Sequence, residues 1–236
     1  MEIKLKRTTI KLLLLIIGSS LIFRFEGCDQ NGGITIPSGV SQLTVSVKSN
    51  DTVSDNPANI IITEAKALIS NVELERQSDG KDELQQSGPL VFHFNTEGSI
   101  EELETQYIIM DNYTKIKFQL HKPGESETPT DSEFKEGDSA SQRYSFIVKG
   151  TYNGNSFVYK SKQSANLVID LDKVENLNLD RENITVLFNK LKWFSNGSVG
   201  IDPNDPQYES LIDNNIKTSF SKAFLDNNKD GLPDIN

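Results

Sequence analysis

The sequence predicts a mainly β protein: an antiparallel β-sandwich closed by a C-terminal amphipathic helix. Three observations carry that expectation. About eight short stretches alternate apolar and polar residues at the spacings of a sandwich. Arg143 to Lys162 pivots on Asn153-Gly154, a dipeptide that favours a type I′ turn because both central residues take positive φ. Tyr208, Ile212, Ile216, Phe220 and Phe224 recur every four residues, the period of a helix with one buried face.

In chain order, Leu43, Val45 and Val47 alternate with Thr44, Ser46 and Lys48, the period of a half-buried strand. Asn50 to Pro57 is a turn-rich break. Ile60 to Ile62 with Leu68, Val72 and Leu74 reads as two strands or one long bent strand, and Glu64 to Leu68 also passes as a helical turn. Ser78 to Gly88 is a polar excursion, and Pro89 to Asn95 is a short strand with Val91 or Phe92 inward. The acidic stretch Gly98 to Thr105 reads as a helical turn. Thr114, Ile116, Phe118 and Leu120 share one strand face, with Lys115, Lys117 and Gln119 on the other and Met110 to Tyr113 as the leading turn. Lys122 to Ser141 contains Pro123, Gly124, Pro129 and Gly137 and no periodicity, which predicts a long mobile loop.

A two-residue loop at Asn153-Gly154 pairs Val148 with Tyr159 and Phe146 with Ser161, so that Phe146, Val148, Phe157 and Tyr159 fall on one face. Asn166 to Asp172 and Ile184 to Phe194 add two apolar stretches, with Trp193 near the end of the second. The strands lie too far apart in sequence for hairpins alone, so a Greek-key connection is expected. Asp205-Pro206 suits the start of the C-terminal helix, read as Tyr208 to Phe224.

The N-terminus carries an address. Lys4, Lys6, Arg7 and Lys11 precede the apolar run Leu12 to Phe23, which is too short to span a bilayer as a helix but suits an export signal. Gly27-Cys28 follows and resembles the lipobox of bacterial lipoproteins, with Arg24 and Glu26 departing from its usual apolar and small residues. That resemblance implies lipidation of Cys28, the single cysteine, and a partner in the membrane. The expected divisions are a signal peptide over 1–27, a flexible tether over 28–39, the sandwich over 40–200, and the helix with its following loop over 201–236.

The chain has 24 basic and 34 acidic residues, net −10; residues 1–27 hold five basic and two acidic ones, leaving −13 on the remainder. Such a balance repels phosphate backbones, so nucleic acid is excluded as a partner. The loop Asp226-Asn-Asn228-Lys-Asp230-Gly231-Leu232-Pro-Asp234 gathers side-chain oxygens from Asp226, Asn228 and Asp230, a carbonyl from Leu232, and a further ligand in Asp234. Hard oxygen donors in this spacing suit Ca²⁺. The loop resembles those of EF-hands, dockerins and thrombospondin type 3 repeats, but stops short of the bidentate glutamate and carries Pro233. Completion by Asp202, Asp205 or Asp213 is open, and an isolated half-site would bind on the order of 10⁻⁴ to 10⁻³ M.

Ile62-Thr63-Glu64-Ala65 with Val72, the block Met110 to Phe118, and Leu167 to Asp172 follow one another in an order that resembles an uncharacterised domain of secreted bacterial lipoproteins. The resemblance implies an immunoglobulin- or transthyretin-like sandwich and brings no catalytic residues. Nucleophile elbows, phosphate loops and His-Glu-x-x-His are absent from the sequence, and His93 and His121 read as structural or exposed. The expectation is a non-enzymatic envelope lipoprotein, most simply of the outer membrane, that binds a glycan or a protein. A hydrolase using paired acids such as Glu101-Glu102 or Asp170 and Asp172 is the alternative, with Trp193-Phe194 a candidate sugar platform. A strand-exchanging structural subunit is the third.

Overall fold

The fold is mainly β and built around one curled, mixed sheet, with a separate two-stranded sheet late in the chain. The computed structural model describes residues 38–51, 59–78, 80–84 and 89–235, all within one compact unit, Ile36–Asn236. Cys28, the signal segment and most of the tether fall outside the described residues.

Among the described residues thirteen strands and one α-helix follow in order: β1 Val40–Ser49, β2 Ile60–Arg76, β3 Lys81–Leu84, β4 Leu90–His93, β5 Glu101–Ile109, β6 Asp111–Leu120, β7 Phe146–Tyr152, β8 Asn155–Ser161, β9 Ala165–Leu177, β10 Arg181–Phe188, β11 Ser195–Asn196, β12 Val199–Gly200, α1 Glu209–Ser219 and β13 Phe220–Leu225. The main sheet runs β5-β1-β10-β13-β9-β6-β2-β7-β8, with β3 and β4 also on β2. The all-antiparallel expectation does not extend to β1/β10 or β13/β9, which pair parallel. The β13/β9 contact rests on one register pair, Ala223↔Leu171, so two half-sheets meet at β13.

The sheet curls so that both halves feed one core. Phe94, just past β4, lies 5.2 Å from Phe146 on β7, 5.1 Å from Phe188 on β10 and 6.0 Å from Phe220 on β13, measured between ring centroids. Trp193 sits 5.1 Å from Phe146 and stacks at 5.8 Å on Phe188. Its Nε1–H donates to Ser219 Oγ at 2.8 Å, so the buried indole keeps its one polar group satisfied where α1 meets β13.

The β7–β8 hairpin has the register expected from its turn, Val148↔Tyr159 and Phe146↔Ser161, with φ of 50° at Asn153 and 80° at Gly154. Ile60 to Arg76 is one long strand, bent at irregularities in its pairing with β6 and β7. On β6 an irregularity between Tyr113 and Lys115 turns Tyr113, rather than Thr114, into the core beside Ile116, Phe118 and Leu120.

Three expectations are corrected. The helix ends at Ser219, and Phe220 and Phe224 belong to β13. A four-residue apolar period served a helix and then a strand, because the unpaired edges of β9 and β10 offered backbone partners that a longer helix could not use. Glu101 to Thr105 lies in β5, whose glutamates face outward or half outward along an edge while Leu103 and Ile108 point in. The excursion after Lys122 is firmly anchored, as its geometry below shows.

Candidate functional site: a C-terminal clasp and a buttressed loop

Beyond β13 the chain folds back over the outward face of β10 and β1. That face is polar where the tail covers it. Ser46 Oγ donates to Asn183 Oδ1 at 2.6 Å, Asn183 Nδ2 donates to the Asp226 carbonyl at 2.9 Å, and Thr185 Oγ1 donates to Asp226 Oδ2 at 2.7 Å. Asp226 is fully buried, and its carboxylate also accepts from the N–H groups of Asp230 at 3.0 Å and Gly231 at 3.0 Å. A buried network whose members are all partnered holds the tail in one position.

The remaining calcium candidates occupy the same turn. Asn228 Oδ1 and Asp226 Oδ1 both accept from the Asp230 N–H, at 3.2 and 3.0 Å, so these two oxygens face a common point. Asp230 turns its own carboxylate to the Leu232 N–H at 2.8 Å and to Asn228 Nδ2 at 2.9 Å. Asp234 Oδ2 accepts from the Asn227 N–H at 2.9 Å, and the Leu232 side chain is exposed. Lys48 Nζ donates to the Asp230 carbonyl at 2.8 Å and lies where a Cβ on Gly231, at φ +82°, would stand. The donor set fits calcium by type, but the carboxylates of Asp226, Asp230 and Asp234 are engaged by protein donors. Among the described residues no three of His, Cys, Asp and Glu converge as metal ligands. Asp202 and Asp205 cap turns further upstream, and Asp213 pairs with Tyr159 on β8, so none of the three is directed to this loop by the bonds it makes.

The second arrangement was not visible in the sequence. Phe134, in a 3₁₀ turn over Ser132–Phe134, is fully buried and packs with Leu68, Tyr144 and Ile147 beneath the excursion. Beside it Lys66 on β2, only 4% exposed, meets Asp131 Oδ2 at 2.5 Å, Glu133, and Glu64 at 3.4 Å. Lys149 on β7 joins from the other side, 2.9 Å from Glu133 and 3.2 Å from Glu64. Burial works against the charge on Lys66, but hydrogen bonds to Asp131 and Glu133 outweigh it and raise its pKa. Bonds from Lys66 and Lys149 hold Glu133 below the usual carboxylate range. Burial alone would raise Asp131, and Lys66 with the Glu133 N–H more than reverses that.

Further ties complete the platform. Lys135 donates to the Glu125 carbonyl at 2.5 Å, Arg143 to the Pro123 carbonyl at 3.0 Å, and Tyr144 to Glu136 at 3.0 Å. The outward residues between these ties include Glu125, Ser126, Thr128, Thr130, Asp138 and Ser141, a surface rich in hydroxyls and acids, with Ala140 and Gln142 also exposed. A lone phenylalanine inside a polar excursion was the one sequence signal that the segment is pinned.

The other sequence candidates are spread over the fold. Trp193 and Phe194 are fully buried and form no platform. His93 is exposed on β4, and His121 Nε2 lies 2.8 Å from Glu127. Asp170 sits opposite Lys115 and Asp172 lies 3.9 Å from Lys222, both on the surface, while Glu102 pairs with Lys229 and Glu101 accepts from Asn95. A cleft of about 440 Å³ between β2, β3 and β6 is lined by Glu73, Glu75, Arg76, Lys81 and Lys117. Bonds from Lys117 and Lys115 hold Glu75 below its ordinary pKa, the reverse of what a general acid needs. The sheet path leaves β5 and β8 as edges.

No family model matches the sequence, and no curated protein matches it. Among solved structures, MbnP from Methylosinus trichosporium is similar at 9% identity and a TM-score of 0.44, over 73% of this chain and 86% of that one. Likeness at that level carries no argument about activity, and the assignable description of this chain is a mainly β protein of mixed sheet topology.

Proposed function

We propose that this chain is a lipid-anchored, non-enzymatic binding module of a bacterial envelope, of the sandwich type that the lipoprotein-domain resemblance implies, with acylated Cys28 as its anchor. The observation that supports it best is the buttressed excursion Lys122 to Ser145. Phe134 and the Lys66 network remove the conformational freedom that a free loop would lose on binding, and such preorganisation favours affinity. The ligand class that fits is a glycan or a protein offering hydroxyls, amides or cations to the acids and hydroxyls of the loop. The test is calorimetry of the domain against envelope glycans and basic peptides, with a Glu125→Ala, Ser126→Ala, Asp138→Ala variant as the comparison. Binding that disappears in the variant at unchanged melting temperature supports the reading. Binding that survives moves the ligand surface elsewhere, and none in the parent removes the reading.

Calcium at the C-terminal turn belongs to the same proposal, as a stabiliser of the clasp. Its support is the paired approach of Asp226 Oδ1 and Asn228 Oδ1, and Lys48 is the cation it must compete with. A calcium-dependent rise in melting temperature that Asp230→Ala abolishes and Lys48→Met enlarges supports it. Equal melting with and without millimolar calcium in both the parent and Lys48→Met refutes it.

A further inference from the structure

The large apolar side chains that β5 and the β9–β10 turn leave exposed gather beside one point, the entry of the chain into β1. Val40 pairs with Ile109 and Gln42 with Tyr107, and cross-strand partners share a face. On the other side of β1, Gln42 pairs with Arg181 and its N–H donates to the Asp180 carbonyl at 2.8 Å, which brings the β9–β10 turn with Leu179 beside the start of β1. Tyr107 is 50% exposed, Ile109 46% and Leu179 53%, while their neighbour Ile108 points into the core at 3%. Gly39 belongs to the same rim, its carbonyl accepting from the Met110 N–H at 3.0 Å. The C-terminal tail covers the same face higher up, at Asn183, Thr185 and Lys48.

We infer that this rim, Tyr107, Ile109, Leu179 and Val40, is the surface that the domain lays against the lipid interface. The inference rests on the anchor proposed above and adds an orientation to it. Eleven peptide steps separate Cys28 from Gly39, a reach that cannot exceed about 39 Å by any path. A domain tethered so closely meets the bilayer often, and the part of it nearest the tether is this rim. The net −13 charge of the chain after residue 27 opposes contact with an acidic membrane over most of its surface. The rim instead offers a tyrosine, which suits the headgroup boundary, two large aliphatic side chains, and Arg181 beside Asp180. Single exposed apolar residues are ordinary; several on one face, at the tether, are a contact patch.

The experiment uses the full chain, exported and purified from membranes, and reconstituted in phosphatidylcholine vesicles that contain acyl-chain nitroxide lipid. A thiol-reactive fluorophore is placed at Asn178→Cys beside the rim, or at Asn155→Cys beside the β7–β8 turn. The latter lies at the far end of β2, whose first residues pair with β7 and whose last pair with β6 near Met110. Quenching by the nitroxide should be several-fold stronger at 178 than at 155. Tyr107→Ser with Ile109→Ser, both at exposed positions, should bring 178 down to the level of 155 without changing the melting temperature. Metabolic labelling with an alkyne fatty acid, lost in Cys28→Ala, reports the anchor separately. Equal quenching at both sites in acylated protein overturns the rim alone, and an unacylated Cys28 overturns rim and anchor together. Shielding at 178 that persists without vesicles and disappears on dilution assigns the rim to a second copy of the chain and also overturns the inference.

Discussion

Lys66→Met tests the buttress under the excursion. The lysine side chain is 5% exposed, whereas its partners Asp131 and Glu133 keep 25% and 38%. Removing one partner of a fully buried ion pair costs about 3–5 kcal/mol, and of an exposed pair about 0–1. The mixed burial places this case near 2 kcal/mol. Lys149 remains on Glu133, so Asp131 is the group left without a cation. If the excursion melts with the rest, about 2 kcal/mol lowers the melting temperature by roughly 4–8 °C for a domain of this size. If it opens locally, amide exchange should accelerate at Tyr144, whose N–H donates to the Phe134 carbonyl at 2.9 Å, and leave β10 unchanged. The pH dependence follows from the same contacts. Asp131 and Glu133 have depressed folded pKa values, so their contribution is present above the ordinary carboxylate range and is lost as pH falls through the depressed values. The parent should therefore show an acid-induced rise in Tyr144 exchange below about pH 4, and Lys66→Met a smaller one, since Lys149 still holds Glu133. Unchanged melting together with unchanged exchange at Tyr144 would refute the buttress.

Asp213→Asn should act with the opposite sign. Burial raises the Asp213 pKa, although the bonds from Tyr159, at 2.7 Å, and Ser161 work against that, so the parent loses stability as pH rises from the ordinary aspartate value through the raised one. The asparagine keeps an acceptor for Tyr159 and removes that slope, which thermal melts between pH 3 and about 7 read directly. Gly231→Ala puts a side chain at φ +82° and into Lys48 Nζ, and should cost about 1–2 kcal/mol in urea unfolding, with the same substitution at Gly98, at φ +89° with open space at its Cβ, as comparison. Trp193→Phe leaves Ser219 Oγ without its donor and a gap against Phe146 and Phe188. A loss of about 2–3 kcal/mol is expected, followed by far-ultraviolet circular dichroism because the only tryptophan is gone.

What the sequence made legible was local. Asn153-Gly154 and the flanking alternation name the same register, so the hairpin could be read down to its pairs. Tyr113 could not be told from Thr114, because an irregularity in one strand shifts which residue points inward and leaves no mark in composition. Phe220 and Phe224 satisfied a helical period, and only the vacancy between β9 and β10 decides that they form a strand. The calcium-like spacing located the C-terminal turn but not its anchors, since Thr185 and Lys48 reach it across 41 and 182 residues. Lys66 and Asp131 are 65 residues apart, and no pattern in either neighbourhood announces the other.

The position of β13 bears on the order of assembly. β9 and β10 are joined by three residues, Asn178 to Asp180, yet they do not pair; the strand that separates them, β13, comes later in the chain than every other strand described. Until residue 225 is available, β1 and β5 can gather on β10, and β2, β6, β7 and β8 on β9, but each half carries an open edge. A chain threaded N-terminus first through a translocation channel would present both edges for as long as its tail is still in transit. Under the export proposed above, whatever shields unpaired strands in the receiving compartment is needed most in that interval, and a chain cut before Phe220 would remain in it.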